Sequence, residues 1–151
     1  MRNLEKRLER SSQNLKKKNE CCSELCSKDS QNLIVKIPIR LRSEANLQEH
    51  WTKKHKRKKD VQRAILYALN PLKKPSLPCK ITLTRIAPRS LDFDNLATAM
   101  KSAIDQTADW LVPGLQAGRA DGSSMLEFKL DQRRGEVKEY ALEIKFEEIH
   151  E

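Results

Sequence analysis

From residue 33 onward the apolar residues change their spacing several times, from the alternation of strands to the three- and four-residue steps of helices. This change of period restricts the chain to folds that combine both kinds of element. Leu33–Leu41 is rich in β-branched residues and predicts the first strand. Residues 1–30 are polar with few large aliphatic side chains, so we expect a flexible tail there and one folded domain over residues 31–151.

A first helix is expected after this strand, capped by Ser43 or Asn46 and ended by the prolines from Pro71 onward. Its inward stripe is Leu47, Trp51, Val61, Ile65 and Leu69. Because Trp51 fits this apolar stripe, we expect it in the core and not as a platform for stacking bases. A run of basic residues, Lys53–Lys59, interrupts the stripe.

The remaining pattern predicts a second strand around Ile81–Ile86 and a second helix that starts near Phe93 and stops at Pro113 and Gly114. A long glycine-containing loop, Val112–Ser124, leads to two final strands that we expect to form a terminal hairpin around Gly135. The order is therefore strand, helix, strand, helix, strand, strand. We predict a mixed α/β domain of the α+β class, with one sheet and the helices packed against it.

Thirty Lys and Arg residues against 21 Asp and Glu give a formal charge of +9, which favours polyanionic partners. Nucleic acid is the leading partner class, although ribosomal proteins and binders of anionic membranes share this balance. We find neither a membrane-spanning stretch nor a secretory signal and expect a cytoplasmic protein with no membrane partner. The four cysteines lack the spacing of a zinc site, and we expect free thiols at Cys21, Cys22, Cys26 and Cys79.

The stretch Arg89–Leu96 carries the most chemical information, because Asp92 and Asp94 stand where the second strand gives way to the second helix. If the chain stays extended through this turn, the two carboxylates project from one side. Like charges held so close require a cation between them, and oxygen ligands suit Mg²⁺ or Mn²⁺. The alternative is that Asp92, Asp94 or Asn95 caps the helix.

Asp121 lies in the later loop, between glycines that allow the backbone to bend toward the first pair, and would be the third metal ligand. Lys101 follows Asp94 by seven residues on the same helical face and can contact a phosphate. The alternatives are an ordinary turn at Asp121 and a surface pair between Lys101 and Asp105. His50 and His55 lack the spacing of a shared helical face, and neither is expected to be a ligand.

Three blocks of this sequence resemble the RusA family of Holliday junction resolvases, and especially its phage-encoded members. They are SEANLQEHW at 43–51, APRSLDFDNLATAMK at 87–101 and GRADGSSMLEFKLDQRRG at 118–135. The middle block is the most specific, because it opens a helix with D-x-D-N-L. The resemblance covers about residues 33 to 147.

The resemblance implies a magnesium-dependent endonuclease, a homodimer that resolves four-way DNA junctions by paired symmetric incisions in recombination and repair. Asp92, Asp94 and Asp121 match the family's metal-binding aspartates. The sequence departs from the pattern at Ala120, where many relatives have a second Asp, and at Thr98, where the family's catalytic lysine often falls. Lys101 is then the candidate substitute. No small-molecule cofactor is implied, and a phage or prophage in a bacterial host is the expected source.

Within this interpretation the basic run of the first helix contacts the phosphates of the duplex arms. The residues concerned are Lys53, Lys54, Lys56, Arg57, Lys58 and Lys59. A solvated charge run is the alternative. Two other functions stay open, a DNA-binding or architectural protein of the same fold that has lost the chemistry, and a translation-associated RNA binder.

Overall fold

A computed structural model describes residues 28–29, 32–43, 48–114 and 118–149 of the chain. Most of the predicted tail over residues 1–30, with Cys21, Cys22 and Cys26, lies outside this part of the structure, as do Asn46 and Leu47. Cys79 is described and is a free, buried thiol, as expected. Within the described residues, no helix combines the length and the apolar character that crossing a lipid bilayer demands.

Within the described residues, the fold consists of five strands and two long helices. They are β1 (Lys28–Asp29), β2 (Asn32–Ile37), α1 (Trp51–Leu69), β3 (Cys79–Ala87), α2 (Phe93–Leu111), β4 (Leu126–Arg134) and β5 (Ala141–Glu148). A short 3₁₀ helix, Ala120–Gly122, precedes β4. From β2 onward the elements follow the predicted order, and the mixed α+β class is confirmed. β1 lies before residue 31, so the sheet begins ahead of the predicted domain boundary.

The strands form one mixed sheet in the order β1-β2-β5-β3-β4. β5 is antiparallel to both β2 and β3, whereas β4 is parallel to β3. The predicted terminal hairpin of the last two strands is therefore wrong, because β3 lies between β4 and β5. Alternation identifies a strand but does not identify its neighbour, and here β3 takes the place that a hairpin partner would have.

One face of the sheet is apolar and carries the helices, and the other is polar. Rows of paired residues show the apolar face, for example Val35, Ile144 and Leu83, which lie side by side on β2, β5 and β3 and are all buried. Ile65 and Leu69 of α1 and the stripe of α2 pack into the same core. The opposite face presents charged residues such as Lys145 and Glu143. The described residues thus form a two-layer fold in which both helices cover the same face of the sheet.

The parallel pair β3 and β4 requires a crossover connection, and α2 provides it. α2 therefore begins just beyond the carboxyl end of β3 and returns the chain to the amino end of β4. The segment before α1 is fixed at that same carboxyl end. Arg85, which is 7% exposed, donates from Nε to the carbonyl oxygen of Leu41 at 3.3 Å and from a terminal nitrogen to that of Arg89 at 2.9 Å.

Candidate catalytic site and nucleic-acid interface

Asp92 is the N-cap of α2. Its backbone is extended, with φ −66° and ψ 168°, and its Oδ1 accepts the backbone N–H of Asn95 at 2.9 Å. Its Oδ2 accepts from the side-chain amide of Asn95, also at 2.9 Å. The capping interpretation is therefore confirmed for Asp92. Each carboxylate oxygen keeps a second lone pair, so capping does not remove Asp92 as an oxygen donor.

Asp94 lies in the first turn of α2 and is exposed. The positive end of the helix dipole stabilises a carboxylate at this position. The predicted convergence of Asp92 and Asp94 required the chain to stay extended through both residues, but α2 already begins at Phe93. Residues two apart in a helix do not face each other, so the pleat does not bring these carboxylates together. The extended chain on which this convergence depended is therefore absent at Asp94, since α2 begins at Phe93 as predicted.

Asp121 lies on the 3₁₀ helix and contacts the middle of α2 through Lys101. The Lys101 ammonium is 2.5 Å from Asp121 Oδ2 and 2.9 Å from Asp105 Oδ1, while Lys58 of α1 lies 3.9 Å from Asp105 Oδ2. The cluster of Lys58, Lys101, Asp105 and Asp121, which we call the α2 ion cluster, thus joins α1, α2 and the loop before β4. The predicted pair of Lys101 and Asp105 is present, and the structure extends it to Asp121.

These contacts stabilise the charged forms of Lys101 and Asp121. The hydrogen bond to Asp121, followed by the one to Asp105, raises the pKa of Lys101 above its ordinary value. The hydrogen bond from Lys101 lowers the pKa of Asp121. Both shifts favour an ion pair at neutral pH. The ammonium of Lys101 therefore occupies the place beside Asp121 where the sequence predicts a metal ion.

Asp105 has a larger structural role than the sequence suggested. It was expected only as a surface partner of Lys101, yet the residue is 8% exposed. A buried carboxylate needs compensating charge, which Lys101 and Lys58 provide. Its position between the buried residues Ala103 and Ala108 of α2 is the signal that could have revealed this burial.

The three predicted ligands do not share one point in this arrangement. Asp94 precedes Lys101 by seven residues, which corresponds to about 10 Å along a helix axis. A hard divalent cation holds its oxygen ligands at about 2.0–2.6 Å. Within the described residues, no group of three or more Asp, Glu, His or Cys side chains is placed to hold a metal ion. The donor type of the aspartates suits Mg²⁺, but their arrangement does not fit a single bound ion.

The two departures from the family pattern have local explanations. Ala120 is fully buried, so a carboxylate in its place would have to be desolvated beneath the 3₁₀ helix. Thr98 donates from its hydroxyl to the carbonyl oxygen of Asp94 at 2.8 Å, a bond within the helix that a lysine would not make. Lys101 is the basic residue that the structure places on the Asp121 side of α2.

Residues 51–60 of α1 form a basic arm. All of them are exposed except Arg57, which is half-buried and pairs with Glu49 at 3.1 Å. The buried residues of α1 are Ile65 and Leu69, in its second half. Since the first half packs so little, its lysine side chains are exposed to solvent, and Lys58 also lies 3.9 Å from Asp105. These lysines are Lys53, Lys54, Lys56, Lys58 and Lys59.

Trp51 differs from its predicted position in the core. It is the first residue of α1 and is 70% exposed. The helix begins later than expected, with His50 as its N-cap in place of Ser43 or Asn46, and His50 Nδ1 accepts from the backbone N–H of Thr52 at 3.5 Å. Trp51 therefore precedes the packed part of the helix. As the first residue of the basic arm, it offers an exposed aromatic ring beside the lysines.

Ser43, which lies between β2 and α1 in the chain, contacts the start of α2. Its hydroxyl donates to the side-chain oxygen of Asn95, the same residue that holds Asp92.

A scan against protein-family models and a search of the curated proteins each found no match to this chain. The functional assignment therefore depends on the residues and the geometry described above.

Proposed function

We propose that this protein is a magnesium-dependent, structure-selective endonuclease of the RusA type, which acts on four-way DNA junctions inside a bacterial cell. The observation that carries the proposal is the position of D-x-D-N at the start of α2, beyond the carboxyl end of β3, with Asp94 exposed. Ligand sites of open sheets with crossover helices form at this end of the strands. A helix N-terminus also favours phosphate groups.

The basic arm supports the choice of substrate. Five exposed lysines over seven residues of one helix, of which Lys58 is shared with Asp105, provide charge that binds phosphates through counterion release. Long, rotatable lysine side chains contact the backbone of DNA and read little sequence. This agrees with an enzyme that selects the shape of a junction.

The proposed metal ligands are Asp92, Asp94 and Asp121, and Lys101 is the proposed contact to the scissile phosphate. Bound magnesium would supply charge neutralisation and an activated water. In the described arrangement Lys101 holds Asp121. Cutting therefore requires Asp121 to leave this ammonium and approach the start of α2, and a release of Lys101 would leave its charge free for the scissile phosphate.

The same contact favours a second candidate, a protein that binds branched DNA without cutting it. The Lys101 ammonium lies 2.5 Å from Asp121, where a cation is expected. If this pair persists when DNA is bound, the site lacks its third ligand. The basic arm would then give binding alone.

Cleavage of a labelled synthetic four-way junction by the wild type and by Asp94→Asn tests the proposal. We expect cutting in Mg²⁺ by the wild type only, and equal junction binding by both proteins in Ca²⁺. Asp109→Asn is the matched control, because Asp109 lies on the same helix but caps the loop at Gly118 through hydrogen bonds of 3.1 and 3.2 Å. Equal cutting by Asp94→Asn would remove this cluster from the mechanism.

Titration with Mn²⁺ separates the two candidates. If Asp121 exchanges Lys101 for a metal, Lys101→Met should bind Mn²⁺ more tightly than the wild type, since it removes the competing ammonium, while cutting the junction more slowly. If neither protein binds Mn²⁺ and the wild type binds junctions without cutting them, the second candidate holds. Preference for hairpin RNA over the junction at equal salt would instead indicate an RNA binder.

A further inference from the structure

β4 is an edge strand of the sheet. β3 pairs with one side of it over all nine residues, and no strand among the described residues pairs with the other. We call this second side the open edge of β4. Unpaired N–H and C=O groups on a long edge are a template for another strand, so proteins either block such an edge or use it.

The side chains of β4 alternate between two environments. Leu126, Phe128 and Leu130 face the core and are buried or half-buried. The odd-numbered residues of β4 from 127 to 133 lie on the polar face of the sheet, are exposed, and alternate in the sign of their charge. They are Glu127, Lys129, Asp131 and Arg133.

We propose that the open edge of β4 pairs with β4 of a second copy of this chain, antiparallel, about a two-fold axis at Leu130. In this register Glu127 lies opposite Arg133 of the partner subunit, and Lys129 lies opposite Asp131 of the partner subunit. Symmetry repeats both pairs, so all four charges of the polar face meet an opposite charge. Directly opposite side chains of unlike charge stabilise a strand pair.

The charge pattern also disfavours the neighbouring registers. A slip by two residues in one direction places Asp131 opposite itself, and a slip in the other direction places Lys129 opposite itself. Parallel pairing in register places every charge opposite its own kind. Like charges that lie directly opposite are destabilising, so the sequence of β4 selects one register.

The backbone of β4 agrees with this register. The N–H of Gln132 donates to Asp131 Oδ1 at 2.7 Å, which indicates that it points to the open edge. Since backbone groups alternate along a strand, those of Leu130 and Phe128 point the same way. Pairing about Leu130 joins these residues by hydrogen bonds, with the bond from Gln132 to Asp131 replaced by one to the partner strand. It leaves the charged residues in the non-hydrogen-bonded positions, where facing side chains are closest.

Two of the four charges already have partners within their own sheet. Glu127 lies 3.6 Å from Lys80, and Arg133 lies 3.6 Å from Glu143. Glu127 and Arg133 keep 62% and 60% of their side chains exposed. Ion pairs this long and this exposed contribute little, so both side chains can be shared with a partner subunit at small cost.

This inference does not depend on the nuclease chemistry, because it concerns a strand outside the site. It bears on the proposed function in one respect. Paired incisions need two active sites in one particle, and a two-fold axis at Leu130 relates two copies of α2.

Charge reversal tests the interface. Lys129→Glu places a carboxylate opposite Asp131 of the partner subunit, and Asp131→Lys places an ammonium opposite Lys129 of the partner subunit. Each change affects two symmetric pairs, so we expect either variant alone to raise the dimer dissociation constant by about tenfold or more. The double variant Lys129→Glu/Asp131→Lys should restore it. An equimolar mixture of the two single variants should form a heterodimer, since its pairs are all complementary.

Sedimentation equilibrium of the full-length chain under reducing conditions, over a range of micromolar concentrations, measures each constant. Lys73→Glu is the matched control, because it makes the same charge change on an exposed residue away from β4. Asp94→Asn should dimerise like the wild type, which separates failure of this inference from failure of the proposed function. A monomeric wild type, or a dimer that both single reversals leave unchanged, would overturn the inference.

Discussion

Lys101→Met should destabilise the protein, because it leaves Asp105 without its closest positive charge. The Asp105 side chain is 11% exposed, and Lys58 at 3.9 Å compensates it only in part. Removal of one partner from a fully buried ion pair costs about 3–5 kcal/mol. The Lys101 side chain is 56% exposed, so water screens the pair and the expected loss is about 1–2 kcal/mol.

Urea unfolding at pH 7, followed through the fluorescence of Trp110, measures this loss at one fixed protein concentration. Lys53→Met is the matched control, since Lys53 is exposed on the basic arm, and it should change the free energy of unfolding by less than about 0.5 kcal/mol. The double variant Lys101→Met/Asp105→Asn should recover part of the loss, because no buried carboxylate then lacks a partner. Unchanged stability in Lys101→Met, with an unchanged m-value, would refute the assignment of a structural role to the α2 ion cluster.

Three further predictions concern acid stability, DNA binding and the core. The pKa of Asp121 is held below its ordinary value of 3.8, so its stabilising contribution is present above that pH and is lost as the pH falls through the folded-state pKa. The unfolding midpoints of the wild type and Asp121→Asn should therefore differ at pH 7 and converge in strong acid. Lys53→Ala/Lys56→Ala should reduce the slope of log binding constant against log salt by about 1.8 on a junction, and an unchanged slope would show that neither lysine contacts phosphate. Leu69→Ala, at a fully buried position, should cost about 2–5 kcal/mol in urea unfolding, against a much smaller loss for Leu77→Ala, which is 36% exposed.

The fold was predictable from the sequence where periodicity decides it. The apolar stripe of α2 and its polar start gave a helix from Phe93, and the structure begins it there. The start of α1 was not predictable in this way, because the lysine run hides the point at which packing begins. The apolar spacing of a helix includes Trp51 as well as Val61, and only the tertiary structure shows that Trp51 is exposed.

The sequence indicates which residues are candidates for a site, but it does not indicate what they contact. The capping role of Asp92 and the ligand role assigned to it use the same side chain, and spacing alone cannot separate them. The pairing of Lys101 with Asp121 joins residues twenty positions apart and depends on how the loop returns along α2. The sequence shows Ala120 where the resembled family often has a second Asp beside Asp121. The burial of Ala120 gives a packing reason for the small apolar residue.

The segment between β2 and α1 is held by side chains of two other elements. Leu41 is held by Arg85 from β3, and Ser43 by Asn95 from the start of α2. Asn95 therefore contacts both the segment before α1, through Ser43, and the cap of α2, through Asp92. Because one side chain makes both contacts, replacement of Asn95 should weaken the hold on Ser43 and the cap of α2 at the same time.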